Sequence, residues 1–226
     1  MPRSPPYPVQ VRTDWLPISA SALVIGAMSL VLGALLNPVT GSKDASATMH
    51  IVEHADARWL GMAVMYFIAS LALCLGLPAM LSLFVTRGRR MGLLAVGTFA
   101  IGAIGLSGYS MLMVFFRALV DKNLLRGQGL DEMTHDAGLS IFLYGWIAGF
   151  YLGVLFIAVA LFLARKTDKW VPVLLLVFVA MLPFASHLGH VGMAVQVLAL
   201  AVAFTGIATA AVSGEHQRDL ERQPVF

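Results

Sequence analysis

The stretch LSIFLYGWIAGFYLGVLFIAVALFLA, residues 139–164, decides the fold class. It runs 26 residues without a charged side chain. As a helix rising 1.5 Å per residue it is about 39 Å long, enough to cross a hydrocarbon core of about 30 Å. It is apolar on every side, which fits a helix among lipid and other helices better than one with a face to water. Residues 15–36, 59–85, 91–120, 171–186 and 191–212 read the same way. The expectation is all-α: a polytopic membrane helix bundle of six transmembrane helices.

The rest of the 226-residue chain agrees. It is 59% hydrophobic and 12% charged, about half the charge of an ordinary soluble domain. That excludes a disordered chain and a soluble nucleic-acid binder. The single cysteine, Cys74, excludes an internal disulfide scaffold. The partners implied are the lipid bilayer and a lipid-soluble small molecule, with no nucleic acid. Residues 1–14, with Pro2, Pro5, Pro6 and Pro8, read as a disordered cytoplasmic tail, 15–213 as one membrane domain and 214–226 as a second cytoplasmic tail. Ala45-Ser46-Ala47 looks like a signal-peptide cleavage site, but the apolar run before it is longer than a signal h-region.

Orientation follows from lysine and arginine, which accumulate on the cytoplasmic side of short loops. Arg3, Arg12, Arg87, Arg89, Arg90, Arg165, Lys166, Lys169, Arg218 and Arg222 fall on one side; Lys43, Arg58, Arg117, Lys122 and Arg126 fall on the other. The first set reads as cytoplasmic. Both termini are then inside, and the chain is a multi-pass protein of the plasma membrane. Gly145, Gly149 and Gly153, and Gly102, Gly105 and Gly108, mark faces where helices approach closely, read as packing within one chain. Pro78 and Pro183 lie inside apolar runs and should kink their helices.

The remaining polar residues gather on the outer side. His50, His54, His135, His187 and His190 map there; only His216 does not. Glu53, Asp56, Asp121, Asp131, Glu132 and Asp136 join them. Trp59 and Trp170 read as an interfacial belt. Tyr66, Tyr109, Tyr144 and Trp146 lie deeper and read either as pocket lining or as packing. The fifth span is short, so His187 and His190 should be recessed into the outer part of the bundle, where ionisable groups face an interior or a wet cavity.

Thr48 reads as the N-cap of a helix that places His50, Glu53, His54 and Ala57 on one face. His50–His54 also spells the HxxEH of inverzincin proteases, but nothing else in the chain matches that family. A looser site for a divalent metal such as zinc or copper, on His50, His54, His187 and His190 with His135, Glu53 or Glu132, is the alternative. It requires those rings to converge, since Zn–N bonds are about 2 Å. Histidines at one depth only do not suit a transmembrane di-haem. Arg117 is four residues before Asp121 and reads either as its helical partner or as a clamp for an anionic head group; Arg58 is a second candidate clamp. Asp136 suits a helix N-cap.

Ala57-Arg58-Trp59-Leu60, Arg87-Gly88-Arg89-Arg90 and Phe115-Phe116-Arg117-Ala118-Leu119 resemble segments of a group of small six-helix integral membrane proteins of high-GC actinobacteria. That resemblance carries no activity. In size, and in acids and aromatics at one membrane face, the chain is also similar in architecture to small integral-membrane terpene cyclases. Those enzymes protonate an alkene or epoxide with a carboxylic acid and stabilise cations on aromatic faces; no residue is carried over. The resulting expectation is an outward-facing membrane enzyme doing acid/base chemistry on a lipid-soluble, isoprenoid substrate. Glu53, Asp56, Asp131 or Glu132 would supply the proton, His54 or His187 would orient the acid or take the final proton, and Tyr66, Tyr109, Tyr144 and Trp146 would line the cavity. A metal-binding or transport protein, or a structural membrane subunit, are the competing readings.

Overall fold

The computed structural model describes residues 15–38, 45–85, 88–122, 136–185 and 189–222; at 45–48, 185, 189–191 and 215–222 it describes the backbone alone. The described chain is helical with no strand. In order come α1 (Trp15–Leu36), α2 (Ala45–His54), α3 (Asp56–Ser82), α4 (Arg89–Asp121), α5 (Ala137–Ala164), α6 (Trp170–Ala180), α7 (Leu182–Ala185) and α8 (Gly189–Arg222). α1, α3, α4, α5 and the Gly192–Gly214 part of α8 are each long and apolar enough to cross a membrane, and residues 170–184 form a shorter apolar segment. This is the make-up of a multi-pass helical membrane protein.

Each long helix packs on its neighbour in the chain, and the last packs on the first: α1 on α3, α3 on α4, α4 on α5, α5 on α6, α6 on α8, and α8 on α1. The result is a closed ring. Gly26 faces Leu73, Gly33 faces Tyr66 and Gly76 faces Leu23, so α1 and α3 run antiparallel. Gly102 facing Phe150 and Gly153 facing Phe99 show the same for α4 and α5. The basic residues Arg89 and Arg90 at the start of α4 therefore share one end of the bundle with Arg165, Lys166 and Lys169 after α5. Asp56, Arg117, Asp121 and Asp136 share the other.

Local chemistry explains the interruptions. Pro183 lacks an N–H and its ring crowds the preceding turn, so the fifth span stops at Ala180 and resumes as the single turn of α7. Buried Gln196 donates from Nε2 to the Phe178 carbonyl at 2.8 Å, which satisfies an acceptor beside the break. Pro78 lies inside α3. Beside it the Ser19 hydroxyl accepts from Ala79 N–H at 3.0 Å and donates to Leu75 C=O at 2.8 Å. Those are two groups that a regular helix would bond to each other.

Three local expectations are corrected. The segment before the second span is a separate helix, α2, beginning at Ala45, so Thr48 lies inside it instead of capping it. The helix breaks at Ala55, where φ is −117° and ψ 32°, and Ala57 belongs to a different helix, α3, from His50 and His54. Gly145 meets no described residue within 4 Å, so of Gly145, Gly149 and Gly153 only the latter two abut α4. The expected N-cap at Asp136 is present: its Oδ1 accepts from Leu139 N–H at 2.7 Å. Residues 1–14 and 223–226 lie outside the described residues, and α8 continues through Arg222.

Two buried clusters fill the ring. The larger occupies the basic end and middle, where Phe99 meets Phe204 edge-on with ring centres 5.6 Å apart and lies 5.1 Å from Phe150. The smaller, Val52, Trp59, Met62, Ala63, Met113 and Val120, roofs the opposite end where α2 lies over α3 and α4.

Candidate functional site

Four cross-helix pairs measure depth along α3 and α4. At the rim Arg117 grips Asp56 with two hydrogen bonds, Nε to Oδ1 and Nη2 to Oδ2, the latter at 2.6 Å. Next, Trp59 Nε1 donates to the Met113 carbonyl at 2.9 Å. Then the rings of Tyr66 and Tyr109 lie 6.5 Å apart. Deepest, the Ser70 hydroxyl donates to the Ala103 carbonyl at 2.6 Å. The order runs from charged, through aromatic and amphipathic, to small.

A cavity of about 470 Å³ opens inside the ring at the depth of the aromatic pairs. The five long apolar helices and the shorter α6 all contribute to its wall: Leu30 from α1, Trp59 and Tyr66 from α3, Tyr109 from α4, Trp146, Phe150 and Tyr151 from α5, Phe178 from α6, and Leu200 from α8. Tyr109 and Trp146 are 5.2 Å apart, and Tyr151 stacks on Phe178 at 5.0 Å with the rings nearly parallel. Behind the wall, Gln196 Nε2 donates to the carbonyl of cavity-lining Phe178. Trp146 Nε1 is buried with no hydrogen-bond partner among the described residues. Phe150, backed by Phe99, closes the floor.

The acids lie elsewhere. Glu53, Asp56 and Asp121, with Arg117, line a separate recess of about 420 Å³ between α2, α3 and α4 at the rim. Among the described residues, none that lines the central cavity carries a carboxylate. Arg117 does not take Asp121 as its hydrogen-bonded partner: it binds Asp56, 61 residues away, and Asp121 instead pairs with Lys122 at 3.1 Å. The antiparallel crossing sets the first turn of α3 against the last turn of α4, and a carboxylate with two oxygens suits the guanidinium fork.

The other expected site residues divide. Tyr66, Tyr109 and Trp146 line the cavity as anticipated. Tyr144 does not: it is 68% exposed on the outside of α5. Trp59, assigned to an interfacial belt, is 7% exposed and forms part of the cavity roof. Arg58 is exposed and lines neither space. His50 is exposed, with Nδ1 3.5 Å from Glu53 Oε2, and His54 Nδ1 lies 2.8 Å from the His50 carbonyl. Among the described residues no group of three or more His, Cys, Asp or Glu side chains is placed to hold a metal ion. Asp131, Glu132, His135 and His187 lie outside the described residues, as does the side chain of His190.

Sequence reasoning missed Tyr151, Phe178 and Gln196. Gln196 carried a readable signal, because an amide within an apolar membrane span must find a partner in the bundle or in a cavity. The chain matches no family model, no curated protein and no solved structure.

Proposed function

We propose that this is an integral membrane protein whose central cavity receives a lipid-soluble molecule of the isoprenoid class, and that in its sharpest form it is a cyclase acting by acid/base chemistry. The observation that carries the reading is the cavity of about 470 Å³ walled by Trp59, Tyr66, Tyr109, Trp146 and Tyr151. Apolar walls suit a hydrocarbon ligand, with a few polar groups to orient it. Electron-rich aromatic faces stabilise a developing carbocation, and a dry site keeps water from capturing it. Cyclisation then begins with protonation of a terminal alkene or epoxide and ends with loss of a proton.

In this reading the proton comes from the rim. The candidates are Glu53, Asp56, Asp131 and Glu132, and Glu53 is the described one not engaged by an arginine. His54 or His187 orients that acid or takes the final proton. The rim faces outward and the end with Arg89, Arg90, Arg165, Lys166 and Lys169 faces the cytoplasm of a plasma-membrane protein, as the distribution of basic residues favours.

The test is incubation of the purified protein in lipid nanodiscs with linear isoprenoids bearing a terminal alkene or epoxide. Mass spectrometry would find cyclised products of unchanged mass. Absence of both cyclised product and saturable isoprenoid binding overturns the proposal. Full activity in each of Glu53→Gln, Asp131→Asn and Glu132→Gln overturns the acid assignment.

A further inference from the structure

A second apolar space adjoins the cavity. Between the outer halves of α4 and α5 lies a groove of about 300 Å³ whose walls include Gly108, Met111 and Phe142. Met111 and Phe142 are each 63% exposed on the outside of the bundle, where a membrane span meets lipid. Tyr109, Leu143 and Trp146 line both this groove and the central cavity, so these three side chains stand between the two spaces.

The helices part along this line. A methyl group on Gly102 would lie 2.3 Å from the Phe150 backbone, and one on Gly105 would lie 2.1 Å from Trp146 Cβ. One on Gly108 would meet nothing closer than the Phe142 ring at 3.6 Å. The crevice therefore widens toward the rim. The two indoles also differ. Trp59 in the roof is fixed by its bond to the Met113 carbonyl, whereas the buried Nε1 of Trp146 has no partner among the described residues. Swinging Trp146 aside breaks no side-chain hydrogen bond to the described residues, and its present position leaves a buried donor unsatisfied by them.

We propose that the α4–α5 groove is the lateral mouth of the cavity, through which an isoprenoid-class lipid passes directly from the bilayer, with Trp146 as the moving ring. This rests on the reading that the cavity receives such a lipid. A ligand entering this way never leaves an apolar medium, so it avoids the cost of exposing its hydrocarbon to water at the rim.

The probe is all-trans-retinol, an isoprenoid alcohol that accepts excitation from tryptophan, delivered from phosphatidylcholine vesicles to the protein in nanodiscs. Gly108→Leu fills the groove. It should slow both uptake and release by about tenfold or more, equal to about 1.4 kcal/mol on the barrier. Because Gly108 lines the groove and not the cavity, the equilibrium affinity should stay within about twofold. Gly108→Ala should leave both rates unchanged. To separate plugging from misfolding, Gly108→Cys in a Cys74→Ser background is folded first, then blocked with N-benzylmaleimide, and should slow in the same way. Unchanged rates in both plugged forms overturn the lateral mouth and leave the cavity reading intact. Failure of the wild-type protein to bind retinol saturably removes the cavity reading, and the mouth with it.

Discussion

Arg117 and Asp56 close the rim of the bundle face to face, with Nη2 donating to Oδ2 at 2.6 Å across 61 residues of sequence. The pair is part-exposed, with side-chain exposures of 31% and 49%, so its attraction is screened by water and salt. Asp56→Asn and Arg117→Gln should each lower the thermal midpoint slightly and to a similar extent. The double variant should be no worse than the weaker single, and high salt should narrow the gap to wild type. Additive losses in thermal unfolding would show that the two residues are not coupled.

Ser19 predicts a conditional effect. Its hydroxyl joins Ala79 N–H to Leu75 C=O beside Pro78. Ser19→Ala leaves both groups without that partner and should cost about 1–3 kcal/mol. In a Pro78→Ala background the helix can close that bond itself, so the same substitution should cost much less. Equal losses in both backgrounds, measured by denaturant titration in detergent, would contradict this account.

The glycines of α5 should differ sharply although they are evenly spaced. A methyl group on Gly153 would lie 2.4 Å from Phe99 Cα, and one on Gly102 of α4 would meet the Phe150 backbone. Backbone cannot yield as a side-chain tip can, so Gly153→Ala and Gly102→Ala should each cost about 1–3 kcal/mol or more. Gly145→Ala should be neutral or slightly stabilising, because the added methyl meets nothing within 4 Å and alanine favours helix. Comparable thermal midpoints for all three variants would refute the close approach.

Gln196 tests the mending of the broken fifth span. It is 3% exposed and donates to the Phe178 carbonyl. Gln196→Leu keeps the volume and removes the donor, and should destabilise by about 1–3 kcal/mol. Gln196→Met removes the donor without adding a charge and should cost about as much. Wild-type unfolding in both variants would show that the bond carries no weight.

The membrane helices were legible because length and all-round apolarity are local properties of sequence. Residues 139–164 alone were enough to set the class, and the observed α5 differs from them by two residues at its start. The break in the fifth span followed from Pro183. The site was legible only in part. Tyr66 and Tyr109 were found by depth, but depth does not say which way a side chain faces. Residues two apart on a helix point about 200° apart, so Tyr144 and Trp146 could not both face the cavity, and helical spacing alone would have separated them. The partner of Arg117 was not readable, because it depends on which helices cross and in what register. Asp121 was the nearest acid in sequence, and Asp56 is the one that the α3–α4 crossing delivers.

Ring closure also makes the chamber depend on its last helix. The cavity wall includes Val197 and Leu200 from α8, which packs against both α1 and α6. The other wall helices pack on neighbours close in sequence, whereas α1 and α8 meet across almost the whole described chain. The chamber therefore exists only while α8 is docked: without it the wall loses Val197 and Leu200, and the space is a trough open along the flank of α1.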